Sequence, residues 1–166
     1  CAAGKLKMLN STLAGNTVPQ GRYGAAMTIQ HGLDSILLVN NAFYNNYGHQ
    51  NYSADDGILT FDGKVVAYNN YFCSEDAYLV IHRGSGNLFS NTDPFIDIDN
   101  DNYSLNNTSN LIGAGTSSFS FEGISYTAPE SDLEGNARPN PEGSNPDMGA
   151  YEHLRSIPLF HTVNDY

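Results

Sequence analysis

Apolar and polar positions alternate along this chain in short runs, and the same pattern returns several times. "LKMLNSTLAGN" covers residues 6–16, "ILLVNNAFYNN" 36–46, "VVAYNNYFC" 65–73, and "SGNLFSN" 85–91 is a shorter fourth copy. The first three begin with apolar residues, place an Asn at a fixed point, and set an apolar residue three positions later. Asn10, Asn40, Asn69 and Asn87 align at that Asn position, and Leu13, Phe43 and Phe72 at the later apolar one. Between the runs lie "AMTIQ" at 26–30, "ILTFD" at 58–62 and "YLVIH" at 78–82, each with the length and composition of a strand. Helical periodicity is absent, and Gly, Asn and Asp punctuate every run within a few residues. Equivalent points recur at roughly 20 to 30 residues, the spacing of solenoid repeats.

Asn is a poor former of helix and strand alike, so its recurrence inside apolar runs needs a reason. A β-solenoid supplies one. Stacked coils lie about 4.8 Å apart, close enough for equivalent Asn side chains to bond above and below in a ladder. Asn also tolerates the left-handed backbone of tight turns between strands. The pattern therefore predicts an all-β chain in which Asn10, Asn40, Asn69 and Asn87 are architectural.

Composition narrows the partners. With 18 Asp and Glu against seven Lys and Arg, the net charge is −11. Such a chain disfavours nucleic acid and anionic membrane, and leaves cations, neutral sugars and basic surfaces open. No stretch approaches the roughly 18 apolar residues of a membrane helix. The abrupt opening at Cys1, with apolar positions from Leu6, suggests a piece of a longer parent chain. Cys1 and Cys73 leave open a disulfide, two separate thiols, or a lipidated Cys1.

Two later stretches carry a resemblance. "NTDPFIDIDNDNYSLNNTSNLIGAGT" at 91–116 is similar to the pattern D-P-x-F-x-D…D-Y-x-L…S-P-x-I-x-x-G, and "SDLEGNARPNPEGSNPDMGAYE" at 131–152 to D-x-x-G-x-x-R-P…G…D-x-G-A-Y-E. With the preceding repeats, they resemble the right-handed parallel β-helix repeat proteins of the pectate-lyase-like superfamily, and its secreted and cell-surface bacterial members in particular. Asn110 departs from the pattern, where Pro is frequent. The resemblance implies a right-handed parallel β-helix of about four to five coils with an irregular C-terminal closure. Coils are expected over 1–116, a closing segment of the same domain over 117–152, and a tail over 153–166 whose Ile157, Leu159 and Phe160 fold back as a cap. It also implies further coils upstream and a place outside the cell or on the bacterial surface.

Fold does not deliver function, so sites must be weighed one by one. Asp97, Asp99 and Asp101 alternate in "DIDNDNYS", as in the first half of a calcium loop, but Thr108 stands where a twelfth-position Glu belongs. Turn capping is the competing reading of these Asp residues, and calcium is the one cofactor suggested. Asp55, Asp56, His82 and Arg83 are the available material for catalysis, since enzymes of this superfamily combine carboxylates with a His or basic residue. Their local contexts lack the superfamily's catalytic motifs, and Asp-Asp-Gly is an ordinary turn. Tyr44, Tyr47, Tyr52 and Tyr71 offer an aromatic face for glycans, or else a stacked core. Arg138, between Asp132 and Asp147 with Glu152 nearby, is expected to form a bidentate ion pair that closes the last coil. The five His show no metal-ligand spacing. The functional expectation is a non-catalytic, structural or adhesive part of a surface protein that displays loops for a polysaccharide or cell-surface glycan. The rival is a polysaccharide lyase or glycoside hydrolase.

Overall fold

The structure, a computed structural model, describes residues 4–19, 24–29, 33–48, 58–60, 64–73, 81–121 and 123–159. The chain is all-β, with a single 3-10 turn among the described residues. Successive passes of the chain lay down equivalent strands. The first gives β1 (Gly4–Leu9), β2 (Thr12–Ala14) and β3 (Thr17–Val18), followed by β4 (Met27–Ile29). The second gives β5 (Leu33–Val39), β6 (Ala42–Tyr44) and β7 (Tyr47–Gly48), followed by β8 (Ile58–Thr60). Then come β9 (Lys64–Tyr68) with β10 (Tyr71–Phe72), and β11 (Ile81–Ser85) with β12 (Leu88–Phe89).

Like strands pair in parallel. One sheet runs β1-β5-β9-β11 and a second β2-β6-β10-β12, while β3 pairs with β7 and β4 with β8. The register aligns Met8, Leu38 and Ala67 in the first sheet. In the second it aligns Leu13, Phe43, Phe72 and Phe89.

The bend between the two sheets is made by one left-handed residue per pass. Asn10, Asn40 and Asn69 have φ of 43°, 55° and 51°, and Gly86 takes the fourth place with φ 69°. Asn and Gly are the residues that reach this region most readily, which accounts for their recurrence.

The interior between the two sheets is apolar. Ile36, Leu38, Val65 and Ala67 face Phe43 and Phe72, all fully buried, with Met8, Leu13 and Phe89 packed around them. The Phe43 and Phe72 rings stack at 5.2 Å and 12°, and Phe72 stacks on Phe89 at 5.6 Å. Parallel pairing in register places identical rings above one another, so the aromatic residue three after the turn Asn becomes a continuous stack.

The outer faces are covered too. Leu37, Val39 and Val66 alternate with the inner residues and are buried beneath Tyr126, Phe119 and Phe121. This explains why "ILLV" and "VVA" are unbroken apolar runs, as in sheets buried on both faces. The covering comes from the C-terminal third. β13 (Phe95–Asp97) and β14 (Asn102–Leu105) pair antiparallel, as do β15 (Ser118–Phe121) and β16 (Ile124–Thr127). Phe95, Leu105, Leu111, Ile112 and Met148 cover Ala42 and Tyr71 on the outer side of the second sheet. Parallel pairing ends at β12, so antiparallel hairpins begin well before residue 117.

The closing segment thus lies along the side of the stack and touches several passes. Gly149 donates its amide to Asn40 O at 2.7 Å, and Ala150 to Thr12 Oγ1 at 2.9 Å. The tail follows this side. Leu159 donates to Asn107 O, while Ile157 is 71% exposed, so its side chain covers no apolar end; Phe160 lies outside the described residues.

Candidate functional site

Two sets of polar residues are buried, and each is defined by what it bonds. The first is an amide ladder. Asn41 Nδ2 donates to Asn70 Oδ1 at 2.9 Å, and Asn70 Nδ2 to Asn87 Oδ1 at 3.1 Å. The same oxygens accept the backbone N–H of Asn41 and Asn70, and Asn41 Oδ1 accepts that of Ser11. Each side chain also donates to the strand before it, at Met8 O, Leu38 O and Ala67 O. A shorter ladder joins Asn16 Nδ2 to Asn46 Oδ1 at 2.8 Å.

The ladder therefore runs through the second Asn of each pair and not the first. Asn87 aligns with Asn41 and Asn70, because Ser85 sits opposite Tyr68 and Leu88 opposite Tyr71. Asn10, Asn40 and Asn69 have another task. Turned outward by their left-handed backbone, they hold the closing segment. Asn40 Nδ2 donates to Thr116 O and Tyr126 Oη, and its Oδ1 accepts from Thr116 N. Asn69 Nδ2 donates to Ala114 O, and the Tyr126 hydroxyl donates to Asn10 Oδ1. The doubled "NN" at 40–41 and 69–70 was the sequence signal for two roles.

The second set is the C-terminal motif. Arg138 Nε meets Glu152 Oε2 at 2.7 Å with both side chains buried, and Arg138 Nη2 donates to Gly149 O at 3.1 Å. The guanidinium thus divides between one carboxylate oxygen and one carbonyl, in place of the expected bidentate pair. Glu152 also accepts from Asn140 N and Asp147 N. Asp132 accepts the N–H of Glu134, Asn136 and Glu152 and the Asn136 amide. Asp147, fully buried, accepts from Gly113 N and His153 N, each at 2.6 Å.

The electrostatics follow from burial. Asp147 is pushed up to about 7 by desolvation, a shift opposed by its two N–H bonds, reinforced by the Glu152 charge and opposed by Arg138. Desolvation also raises Glu152, against the Arg138 bond. At Asp132 desolvation acts upward as well, but the Asn136 side chain and three backbone N–H bonds outweigh it and hold the carboxyl below its ordinary value. These groups hold two peptide turns to each other.

The other expected sites are dispersed. Asp55, Asp56 and Tyr52 lie outside the described residues. His82 is the extra residue of a bulge in β11, where its Nδ1 accepts the Val65 N–H at 3.2 Å. The Arg83 guanidinium lies 5.0 Å from the centre of the Phe121 ring. Tyr71 is 1% exposed, and its hydroxyl donates to Ser90 O and Thr92 O, which removes it from any ligand face. Tyr44 packs edge-on against Phe95, and Tyr47 is 59% exposed. Asp97 accepts from the Asn100 amide, and Asp101, left-handed at φ 59°, accepts from the Tyr103 hydroxyl. Among the described residues no three His, Cys, Asp or Glu converge as metal ligands. Cys73 follows β10 and is half-buried, whereas Cys1 lies outside the described residues.

No family model, curated protein or solved structure matches the chain.

Proposed function

We propose that this chain is the closing part of a right-handed parallel β-helix of the pectate-lyase-like superfamily, secreted or displayed on a bacterial surface, and that its role is structural and adhesive. The parallel sheets built pass by pass, the Asn ladder and the stacked Phe residues support the β-helix reading. Further coils of a parent chain belong upstream in this reading, and a polysaccharide or cell-surface glycan is the partner.

One observation carries the non-catalytic role. The buried charged residues of the terminal motif are consumed within the chain: Asp132, Asp147 and Glu152 accept peptide N–H groups, and Arg138 is spent on Glu152 and Gly149. Glycoside hydrolysis requires two carboxyl groups flanking an accessible bond, and these carboxyls meet each other's turns instead. Incubation with homogalacturonan, xylan and mixed-linkage glucan, followed by reducing-end and unsaturated-product assays, tests the reading. No turnover of any of them is expected. Turnover that survives repeated purification and vanishes in Asp56→Asn would establish the rival lyase or hydrolase.

A further inference from the structure

A cleft of about 420 Å³ opens where the closing segment meets the first pass of the chain. Ala14 and Asn16 border it from the β2 side, Tyr103 from β14, and Leu133, Ala150 and Tyr151 from the closing segment. Its size falls within the roughly 300–1,000 Å³ of small-molecule sites. The aromatic face expected from the sequence lay elsewhere, and nothing in the terminal motif pointed to this one.

Its chemistry is selective. No charged side chain is among the described residues lining it, although the chain carries a net charge of −11. Two tyrosine rings and the side chain of Leu133, 71% exposed, supply apolar surface, while Ala14 and Ala150 leave room beside them. Polar groups are few, and two are uncommitted. Asn16 donates through Nδ2 to Asn46 and Ala14, which leaves its Oδ1 without a donor among the described residues. The Tyr151 hydroxyl likewise has no hydrogen-bond partner there. Pyranose rings match such a site, with C–H faces for the aromatic rings and hydroxyls for the amide and phenol. An acidic saccharide would enter against the net charge with no cation among the described lining residues to meet it.

We infer that this cleft binds a short neutral oligosaccharide, gripped between Tyr103 and Tyr151 and oriented by Asn16. The site exists only while the closing segment is docked, because Leu133, Ala150 and Tyr151 of its wall belong to that segment. It rests on the adhesive reading above, and the two fail separately: glycan turnover would overturn the non-catalytic role, whereas the binding experiment below addresses the cleft alone.

Saturation-transfer NMR on the purified chain, with cellotriose, xylotriose, mannotriose and maltotriose as neutral probes and trigalacturonate as the acidic one, tests the site. Transfer to at least one neutral trisaccharide and none to trigalacturonate is expected. Tyr151→Ala and Leu133→Asp should each weaken that binding by about tenfold or more, and Tyr47→Ala should leave it unchanged. Leu133 projects into solvent, so its replacement keeps the test informative if Tyr151→Ala fails to fold. Absence of transfer to every neutral probe, preference for trigalacturonate, or binding intact in Leu133→Asp would overturn the inference.

Discussion

The stacked passes and the segment that covers them are held by different means. The described residues of 4–89 repeat one solution: parallel strands in register, a left-handed corner, a buried amide ladder and stacked Phe rings. Each contact has a counterpart one pass away, so stability is spread over many similar terms. Residues 93–159 repeat nothing. They are held by individual side chains that bond peptide groups far away in sequence, as Asp147 bonds Gly113 and Asn40 bonds Thr116. A regular stack tolerates the loss of one element more readily than an irregular seal tolerates the loss of one anchor.

The largest expected effect follows from removing the seal's cation. Arg138→Met strands the buried Glu152 carboxylate and should cost about 3–5 kcal/mol by urea denaturation. Replacing both partners, as Arg138→Met with Glu152→Leu, should recover much of that loss, because neither charge then remains buried alone. Recovery will be incomplete, since Glu152 also receives Asn140 N and Asp147 N.

In the stack, the ladder and the corner can be separated. Asn41→Ala leaves Ser11 N, Met8 O and Asn70 Oδ1 short of a partner, an expected loss of about 3 kcal/mol. Asn69→Gly keeps the left-handed corner that Gly86 already forms one pass later, and loses the bond to Ala114 O. Its expected cost is about 1 kcal/mol. Equal losses in the two variants would erase the division of labour within the "NN" pairs.

The seal should also give stability a dependence on pH. Asp147 keeps its proton up to about 7 when folded, against 3.8 for the ordinary carboxyl. Between those values the folded chain binds the extra proton, so stability falls as pH rises, and the loss is complete above about 7. Glu152, also raised, acts in the same direction. Asp132 is held low, so its contribution is present above its ordinary value and lost as pH falls below it. Thermal melts should therefore peak on the mildly acidic side, with Tm lower at pH 8 than at pH 5 by on the order of 5 °C. Asp147→Asn should flatten that slope. The smallest effect is expected from calcium: with Asp97 and Asp101 engaged by Asn100 and Tyr103, millimolar calcium should leave Tm unchanged, and a rise abolished by Asp99→Ala would restore a cation site there.

The same contrast governs what could be read from the residues alone. The stack was legible because its period is written in the chain: strand, Asn, apolar residue, repeated. Which Asn formed the ladder was not, since a one-residue shift exchanges an inward amide for an outward one and both are Asn. The seal was visible as a motif, but its placement depends on long-range bonds such as Asn40 to Thr116, which leave no local pattern. Tyr71 shows the same limit. Strand periodicity cannot tell an outward residue in solvent from an outward residue covered by Phe95 and Leu111.

Residue-resolved hydrogen exchange on the native chain and on Arg138→Met tests the separation of stack and seal most directly. The amides of Gly113, Met148 and His153, bonded to Asp147, Leu111 and Asp147, should lose protection in the variant. Those of Asn69, Tyr71 and Cys73, bonded to Ser85, Asn41 and Phe43, should keep most of theirs. Equal loss in both groups would contradict the account, showing stack and seal to be one cooperative unit with no independent anchor at Arg138.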